Sequence, residues 1–257
     1  HCISSAASDV YKRQVAYDSF DDPELRYRQR YVDLIVNDGV KETFLKRATI
    51  IKTMRAVLDE AGYTEVETPI LQSIPGGASA RPFITHHNSL DMDLYLRIAT
   101  ELYLKRLIVG GFEGVYEIGK NFRNEGMDKN HNPEFTCMEL YVQYKDYNWM
   151  MGFTEKLLER ICIAVNGSTE TTIDGKTISF KAPYRRLPIL DAIKEKTGYD
   201  LNGNSEEEIR QVCRELKMEI DDTMGKGKLI DEIFGEFCEG TFIPVSYTHL
   251  TLPTICS

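Results

Sequence analysis

Val115–Tyr144, which reads VYEIGKNFRNEGMDKNHNPEFTCMELYVQY, decides the fold, because two runs typical of β-strands flank a polar loop. Successive side chains of a strand point to opposite faces of the sheet. The second run therefore predicts one polar face and one apolar face. The polar face carries Phe135, Cys137, Glu139, Tyr141 and Gln143, and the apolar face carries Thr136, Met138, Leu140 and Val142. We interpret the first face as chemical and the second as core.

The first run alternates in the same way, with Glu117, Gly119, Asn121 and Arg123 on one side. Arg123 can then share a face with Glu139 and Tyr141, beside a loop that carries further polar residues. Those loop residues are Glu125, His131 and Asn132. The alternative is a solvated hairpin whose ion pairs contribute about 0 to 1 kcal/mol each.

The loop also carries a recognisable string. Phe122-Arg123-Asn124-Glu125, followed after six residues by Asn132-Pro133-Glu134-Phe135, resembles motif 2 of the class II aminoacyl-tRNA synthetases. The strings R-N-E-G and H-N-P-E-F are similar to those of the lysyl members. The resemblance extends from about Asp22 to about Pro244 and implies an α+β fold, an antiparallel β-sheet flanked by helices.

Composition limits the alternatives. The chain has 257 residues, is 42% hydrophobic and carries 31 basic and 40 acidic side chains, a net charge of −9. That balance argues against a surface built mainly to hold nucleic-acid phosphates. The six cysteines show no metal-type spacing, and His86-His87 point to opposite faces of a strand, so we predict reduced thiols and no metal site. No run reaches the about 18 apolar residues of a membrane span, and we expect a cytoplasmic protein.

The two ends share no periodicity with the rest of the chain. We expect residues 1–14 to be a non-native leader and residues 245–257 a non-native tail. By the resemblance, residues 15–244 are a partial catalytic domain, truncated before motif 3. Motif 1 covers about 41–71, motif 2 about 115–144, and a helical and hairpin insertion about 149–240.

The motif 1 region is predicted from periodicity as one long helix and a strand. Apolar residues recur at helical spacing over Lys41–Ala61, Gly62 ends the helix, and Tyr63–Leu71 is typical of an edge strand because Pro69 has no amide hydrogen. In the class II family this region forms the homodimer interface, which the resemblance therefore implies here.

Further elements follow from local patterns. They are a glycine-bearing loop over Ile74–Phe83, a strand over Leu94–Ile98, a helix from Thr100-Glu101 to Val109, a helix over Trp149–Val165, a hairpin turned on Asp174-Gly175, a helix over Pro188–Thr197, a helix with a capping box at Ser205 and Glu208, and a loop at Gly225–Lys228 before a last helix. Thr100 stands where many relatives of the family carry proline, a change expected to be harmless at a helix start.

The resemblance assigns ATP to the motif 2 loop. Arg123, whose planar guanidinium carries several N–H donors, would bridge the substrate carboxylate and the α-phosphate. Phe135 would stack on adenine and Glu125 would meet its exocyclic amine. His131 and Asn132 would contact the phosphates or the ribose.

The resemblance also implies a lysine site. The Gly77 backbone and Glu101 would hold the α-amino group, Arg123 the carboxylate, and Glu139 with Tyr141 the side-chain ammonium. A buried cation requires such acceptors, and an uncharged analogue would leave them unpaired.

The implied function is ATP-dependent activation of L-lysine and its transfer to tRNA(Lys). In the family, the Mg²⁺ ligands and motif 3 lie in a later stretch of the chain. An N-terminal domain of the family reads the anticodon. We expect none of these three parts in this sequence. Alternatives are a relative that lysylates an elongation factor, an aspartyl or asparaginyl relative, and a non-catalytic dimerising fragment. Gly126 and the loop I-P-G-G-A-S-A-R-P-F favour the tRNA enzyme, and Glu139-Leu140-Tyr141 suits an ammonium.

Overall fold

The computed structural model describes residues 20–128, 131–173, 175–238 and 245–246. The chain divides into two compact units, His1–Met54 and Arg55–Ser257. The expected leader over residues 1–14, turn residue Asp174 and the expected tail beyond residue 246 lie outside the described residues.

The first unit contains α1 (Pro23–Arg28), α2 (Arg30–Val36) and most of α3 (Val40–Glu60). Asp22 caps α1 by accepting a 2.9 Å hydrogen bond from the Glu24 amide. The long helix predicted over Lys41–Ala61 is confirmed as α3.

A buried carboxylate, Asp33, organises this unit. Arg26 donates to it at 2.8 Å, Asn37 donates at 2.7 Å, and Arg30 also pairs with it. The hydrogen bond from Asn37 and the charges of the two arginines hold the pKa of Asp33 below its ordinary value. Asp33 is therefore a structural anion at neutral pH.

The second unit mixes short strands and helices. Its strands are β1 (Thr64–Glu65), β2 (Leu71–Gln72), β3 (Ile84–His87), β4 (Met92–Leu96), β5 (Gly114–Phe122), β6 (Glu134–Val142), β7 (Glu170–Ile173), β8 (Lys176–Ser179), β9 (Arg185–Arg186) and β10 (Val245–Ser246). Its helices are α4 (Glu101–Val109), α5 (Tyr147–Asn166), α6 (Ile189–Thr197), α7 (Glu206–Glu215) and α8 (Lys226–Phe237).

Two three-stranded sheets, with the orders β1-β5-β6 and β2-β4-β3, form the frame of the second unit. Within these two sheets all pairings are antiparallel except β1 with β5, which is parallel. Arg97 joins the sheets, since its amide donates to Ile70 at 2.9 Å and its carbonyl accepts from the Phe122 amide at 2.9 Å. The α+β class is confirmed, although the predicted sheet is divided in two.

The β5–β6 register confirms the predicted polar face. Glu117 pairs with Glu139, Gly119 with Cys137 and Asn121 with Phe135, and directly paired residues point to the same side. The opposite face is less buried than predicted: Tyr116 is fully buried, but the apolar residues of β6 are only half-buried. Those residues are Thr136, Met138, Leu140 and Val142.

The strand predicted over Tyr63–Leu71 is wrong as a single element. The chain pairs with β5 at β1, leaves that sheet, and pairs with β4 at β2. Pro69 lies between β1 and β2. It has no amide hydrogen to donate to a neighbouring strand, and it restricts the backbone of the preceding residue, Thr68. The strand predicted over Leu94–Ile98 begins and ends two residues earlier, as β4.

The later helices build a separate apolar core. Its buried members are Leu187, Ala192, Ile193, Leu201, Ile209, Val212, Cys213, Leu229, Ile233, Phe234 and Cys238. We name these residues the helical cluster. The predicted capping box is confirmed: Ser205 accepts from the Glu208 amide at 3.3 Å, and Glu208 accepts from the Ser205 amide at 2.6 Å. The predicted loop at Gly225–Lys228 is wrong, because Gly225 is the N-cap and α8 begins at Lys226.

The remaining predicted elements are confirmed with small shifts. The helix predicted over Trp149–Val165 is α5, which begins two residues earlier behind the Asp146 cap. The β7–β8 hairpin and α6 lie where predicted. Within the described ranges, no helix combines the length and the apolar character needed to cross a bilayer.

Candidate active site

The β5–β6 hairpin positions the predicted nucleotide residues at its open end. Just beyond β5, the Arg123 amide donates to the Pro133 carbonyl at 2.9 Å, which continues the pairing into the loop. The Asn124 amide donates to the Arg81 carbonyl at 2.8 Å, which attaches the glycine-bearing loop to the hairpin. Two loops distant in sequence therefore meet beside Arg123.

A cavity of about 270 Å³ lies at this end of the hairpin. It is lined by Arg123, Glu125, Gly126, His131, Asn132, Pro133 and Phe135. All five residues predicted to contact ATP are therefore brought together. The Arg123 guanidinium lies 5.1 Å from the centre of the Phe135 ring, within the range of a cation–π contact.

Arg123 is a cation with no ion-pair partner among the described residues. Its Nε is buried and makes no hydrogen bond there. A buried guanidinium donor without an acceptor is unfavourable in the free protein. The arrangement favours an anionic ligand, whose oxygen atoms would supply the missing acceptors.

His131 and Glu125 lie at the solvent side of the cavity. The His131 amide donates to one carboxylate oxygen of Asp128 at 2.8 Å, and its ring Nδ1 lies 2.7 Å from the other. This double contact orients the imidazole, although 73% of the side chain is exposed. Glu125 is exposed as well, so both side chains are accessible to a ligand.

Further along the same face, Glu139 is a half-buried carboxylate held by two neutral donors. The Thr100 amide donates to its Oε1 at 3.3 Å, and the Tyr141 hydroxyl donates to its Oε2 at 3.1 Å. No basic side chain in the described part of the chain pairs with it. The two hydrogen bonds therefore orient the Glu139 carboxylate toward a cation.

The surroundings of Glu139 keep its neighbours neutral. Burial, followed by the charges of Glu139 and Glu101, raises the pKa of Tyr141 well above its ordinary value, so that residue remains a hydroxyl donor. Burial and Glu139 raise the pKa of the Cys137 thiol, while Arg123 and Arg97 lower it. Cys137 thus lies between the positive and negative ends of one face.

Gly77 and Glu101, the predicted α-amino site, also lie together. Gly77 has φ +88°, and a Cβ there would lie 3.1 Å from the Cβ atoms of both Ala99 and Glu101. A glycine is required for this close approach. Glu101 already binds Lys105 at 2.7 Å, a pair that the sequence analysis did not predict. The described lining of the cavity does not include Gly77, Glu101, Glu139 or Tyr141.

Arg97 is a buried residue that the sequence analysis missed. It is 1% exposed and pairs with Glu117 at 2.5 Å, while its Nε donates to the Lys120 carbonyl at 2.8 Å. It also donates to the Thr68 carbonyl at 3.1 Å. The available signal was a charged residue inside the apolar run Leu94–Ile98. Arg97 thus ties β4, β5 and the segment at Thr68 together on the polar face, where its guanidinium covers Gly119.

The described side chains form no metal cage of their own, whereas a Mg²⁺ ion that accompanies ATP is usually held by one or two carboxylates together with the phosphates. No group of three or more His, Cys, Asp or Glu side chains there is arranged to hold a metal.

Comparison with known proteins agrees with the geometry. Residues 22–225 match the sequence profile of the family described as tRNA synthetases class II (D, K and N). A protein of Porphyromonas gingivalis named Lysine–tRNA ligase is 65% identical over 231 residues, 90% of this chain and 40% of that protein. Proteins of the same name from Christiangramia forsetii and Azobacteroides pseudotrichonymphae are 65% and 62% identical, and the chain spans 41% and 47% of them.

The chain thus spans less than half the length of these relatives, but the family match covers most of its residues. The chain belongs to the class II tRNA synthetases of the aspartate, lysine and asparagine group.

Proposed function

We propose that the complete protein carrying this chain is a lysine–tRNA ligase, which activates L-lysine with ATP and transfers it to tRNA(Lys). The observation that carries the proposal is the unpaired carboxylate of Glu139 on the same sheet face as the unpaired guanidinium of Arg123. A ligand with a carboxylate at one end and an ammonium at the other complements both charges. The relatives named Lysine–tRNA ligase support lysine as that ligand.

In the first step the lysine carboxylate attacks the α-phosphorus of ATP, the bond to the β-phosphate oxygen breaks, and pyrophosphate leaves. The nucleophile is already ionised at neutral pH, so no general base is required. The protein chiefly aligns the reactants and neutralises charge. Arg123, whose Nε has no internal acceptor, would bridge the carboxylate and the α-phosphate.

ATP would occupy the cavity at the hairpin end. Phe135, already beneath the Arg123 guanidinium, would stack on adenine, and Glu125 would accept from the exocyclic amine. His131, oriented by Asp128, and Asn132 would contact the phosphates or the ribose. Mg²⁺ would accompany the nucleotide, and the resemblance places its carboxylate ligands in a later stretch of the family.

Lysine selectivity would come from Glu139 and Tyr141, with Glu101 and the Gly77 backbone at the α-ammonium. Glu139 is half-buried and has no basic partner among the described residues, so an uncharged side chain would leave its charge without a counter-ion. An aspartate side chain would place a second carboxylate beside it and be repelled. This charge argument disfavours the aspartyl alternative.

Partners beyond the small substrates follow from the family. We propose a homodimer through the region over residues 41–71, transfer to tRNA(Lys), and a cytoplasmic location.

The test is ATP–pyrophosphate exchange by the complete protein with single amino acids. Exchange should depend on L-lysine and remain at background with L-aspartate or L-asparagine. Exchange that depends on either of those two would overturn the assignment. An exchange-active protein that lysylates an elongation factor but not tRNA would support the alternative relative.

A further inference from the structure

Cys137 carries a free thiol in the middle of the polar face of β6. It is two residues from Phe135 and two residues from Glu139, and side chains at that spacing lie on one face about 6 to 7 Å apart. The Arg123 guanidinium lies against the ring of Phe135. Cys137 therefore separates the positive end of this face from the negative end.

The strand position opposite Cys137 leaves the thiol without a neighbouring side chain from β5. Cys137 pairs with Gly119, and a Cβ added to Gly119 would collide with the Arg97 guanidinium. The side chain of Cys137 is only partly buried. A ligand that extends along this face from Arg123 to Glu139 would therefore meet the thiol about halfway.

The charges at both ends of the face act on this thiol. Burial and then the charge of Glu139 raise the pKa of Cys137, and Arg123 and Arg97 lower it, with a net rise above the ordinary value. The thiol is therefore protonated at neutral pH, and a protonated thiol packs as a small apolar group. An apolar group between two charged ends complements the hydrocarbon part of a ligand that carries opposite charges at its own ends.

A second observation on the same face indicates a ligand beside Cys137. Asn121, which belongs to the neighbouring strand pair with Phe135, is 2% exposed. Its Oδ1 is buried and has no hydrogen-bond partner in the described ranges. A buried acceptor without a partner is expected where a ligand completes the surface.

We propose that Cys137 is a substrate-contacting residue whose thiol packs against the hydrocarbon chain of bound L-lysine, between its α-carbon and its terminal ammonium. This inference rests on the proposed function, because it requires that lysine be the ligand. It adds an apolar contact to the polar groups of Arg123, Glu139 and Tyr141, and it assigns to Cys137 the width available to the substrate side chain.

The first test measures KM values in ATP–pyrophosphate exchange for two variants of the complete protein. Cys137→Leu should raise the KM for L-lysine about tenfold or more, because the added carbon atoms would occupy the space of the hydrocarbon chain. Cys137→Ala should raise it about fourfold, the factor for the loss of one apolar contact of CH₂ size. The KM for ATP should stay within about twofold of the parent, because the described cavity lining does not include Cys137. Met138→Leu, a control on the opposite face of the same strand, should leave both KM values unchanged.

The second test is alkylation of Cys137 in the parent by N-ethylmaleimide, followed by peptide mass spectrometry. L-lysine at about ten times its Kd should slow this modification about tenfold, since only the free protein would expose the sulfur. L-aspartate at the same concentration should not slow it. Because this test uses the parent, it decides the question even if Cys137→Leu folds poorly.

An unchanged KM for L-lysine in a folded Cys137→Leu variant overturns the inference. Alkylation that L-lysine does not slow also overturns it. Equal rises in the KM values for lysine and ATP overturn it as well, because they indicate a structural role. If the parent neither binds nor activates L-lysine, the proposed function fails and the inference fails with it. An active parent in which Cys137 is insensitive to lysine defeats the inference alone.

Discussion

The polar face of the β5–β6 hairpin and the helical cluster differ in whether their buried polar atoms have hydrogen-bond partners. Three buried side-chain atoms lack partners in the described ranges: Thr100 Oγ1, Asn121 Oδ1 and Arg123 Nε. All three lie on the hairpin or at the helix start beside it. The helical cluster instead buries apolar side chains and pairs its polar atoms, as the capping box of α7 illustrates.

We interpret this difference as one between groups that stabilise the fold and groups whose hydrogen bonds a ligand would complete. A buried donor or acceptor without a partner destabilises the free protein, so it is expected where a ligand will complete it. Substitutions at the hairpin should therefore reduce activity with little loss of stability, and substitutions in the cluster should do the reverse. Four predictions test this contrast.

The largest effect is expected for Arg123→Ala in the complete protein. Lysine-dependent pyrophosphate exchange should fall by about a thousandfold or more, because the charge that bridges the two reactants is removed. The free energy of unfolding should change by no more than about 1 kcal/mol, since the described side-chain contact that is lost is the cation–π contact with Phe135. Arg123→Lys, the matched control, keeps the charge but loses the planar fork and should restore only part of the rate. Lysine-dependent pyrophosphate exchange that persists in Arg123→Ala would contradict the proposed role of Arg123.

Arg97→Met tests whether Arg97, unlike Arg123, stabilises the fold. Glu117 would remain buried without its partner, so the free energy of unfolding should fall by about 3 to 5 kcal/mol. Urea denaturation followed by circular dichroism measures the change. The double variant Arg97→Met, Glu117→Gln should recover part of the loss. A single variant as stable as the parent would show that the pair is not structural.

Leu229→Ala should destabilise the helical cluster by about 2 to 5 kcal/mol, since Leu229 is fully buried in it. Leu229→Met, which conserves volume, should cost less than about 1.5 kcal/mol. Under conditions where Leu229→Ala is folded, its KM for L-lysine and for ATP should equal those of the parent. A specific rise in either KM would break the contrast between the two regions.

Ser205→Ala should have the smallest effect, a loss of about 1 kcal/mol, because it removes the side-chain half of the capping box. Thermal unfolding measures it, and Ser205→Asp, which can still accept from the Glu208 amide, should stay close to the parent. A loss equal to that of Leu229→Ala would mean that the cap supports more than its own helix.

Much of the hairpin could be predicted from alternation. The period of two places Glu139 and Tyr141 on the face of Asn121 and Glu117, and the register agrees. The loop residues around Arg123 were identified by their resemblance to a known motif, and the structure places them around one cavity. Their contacts with ATP and lysine remain predictions.

Contacts between distant segments could not be predicted. The partner of Arg97, Glu117, lies twenty residues away, and the Thr68 hydroxyl that donates to Glu117 at 2.7 Å lies forty-nine residues from it. Spacing within one element carries no information on such pairs. The break at Pro69 was missed for a related reason, since strand propensity does not show which sheet a segment joins. The Glu101–Lys105 pair, by contrast, has ordinary i,i+4 helix spacing, so it can be predicted from the sequence.

The two neutral donors on Glu139 also have a kinetic consequence. The Thr100 amide and the Tyr141 hydroxyl hold both carboxylate oxygens before any ligand arrives. Binding of a cation then requires little rearrangement of the carboxylate, so ammonium and uncharged ligands should associate at similar rates. Discrimination between them should lie in how long each one stays bound, that is, in the dissociation rate.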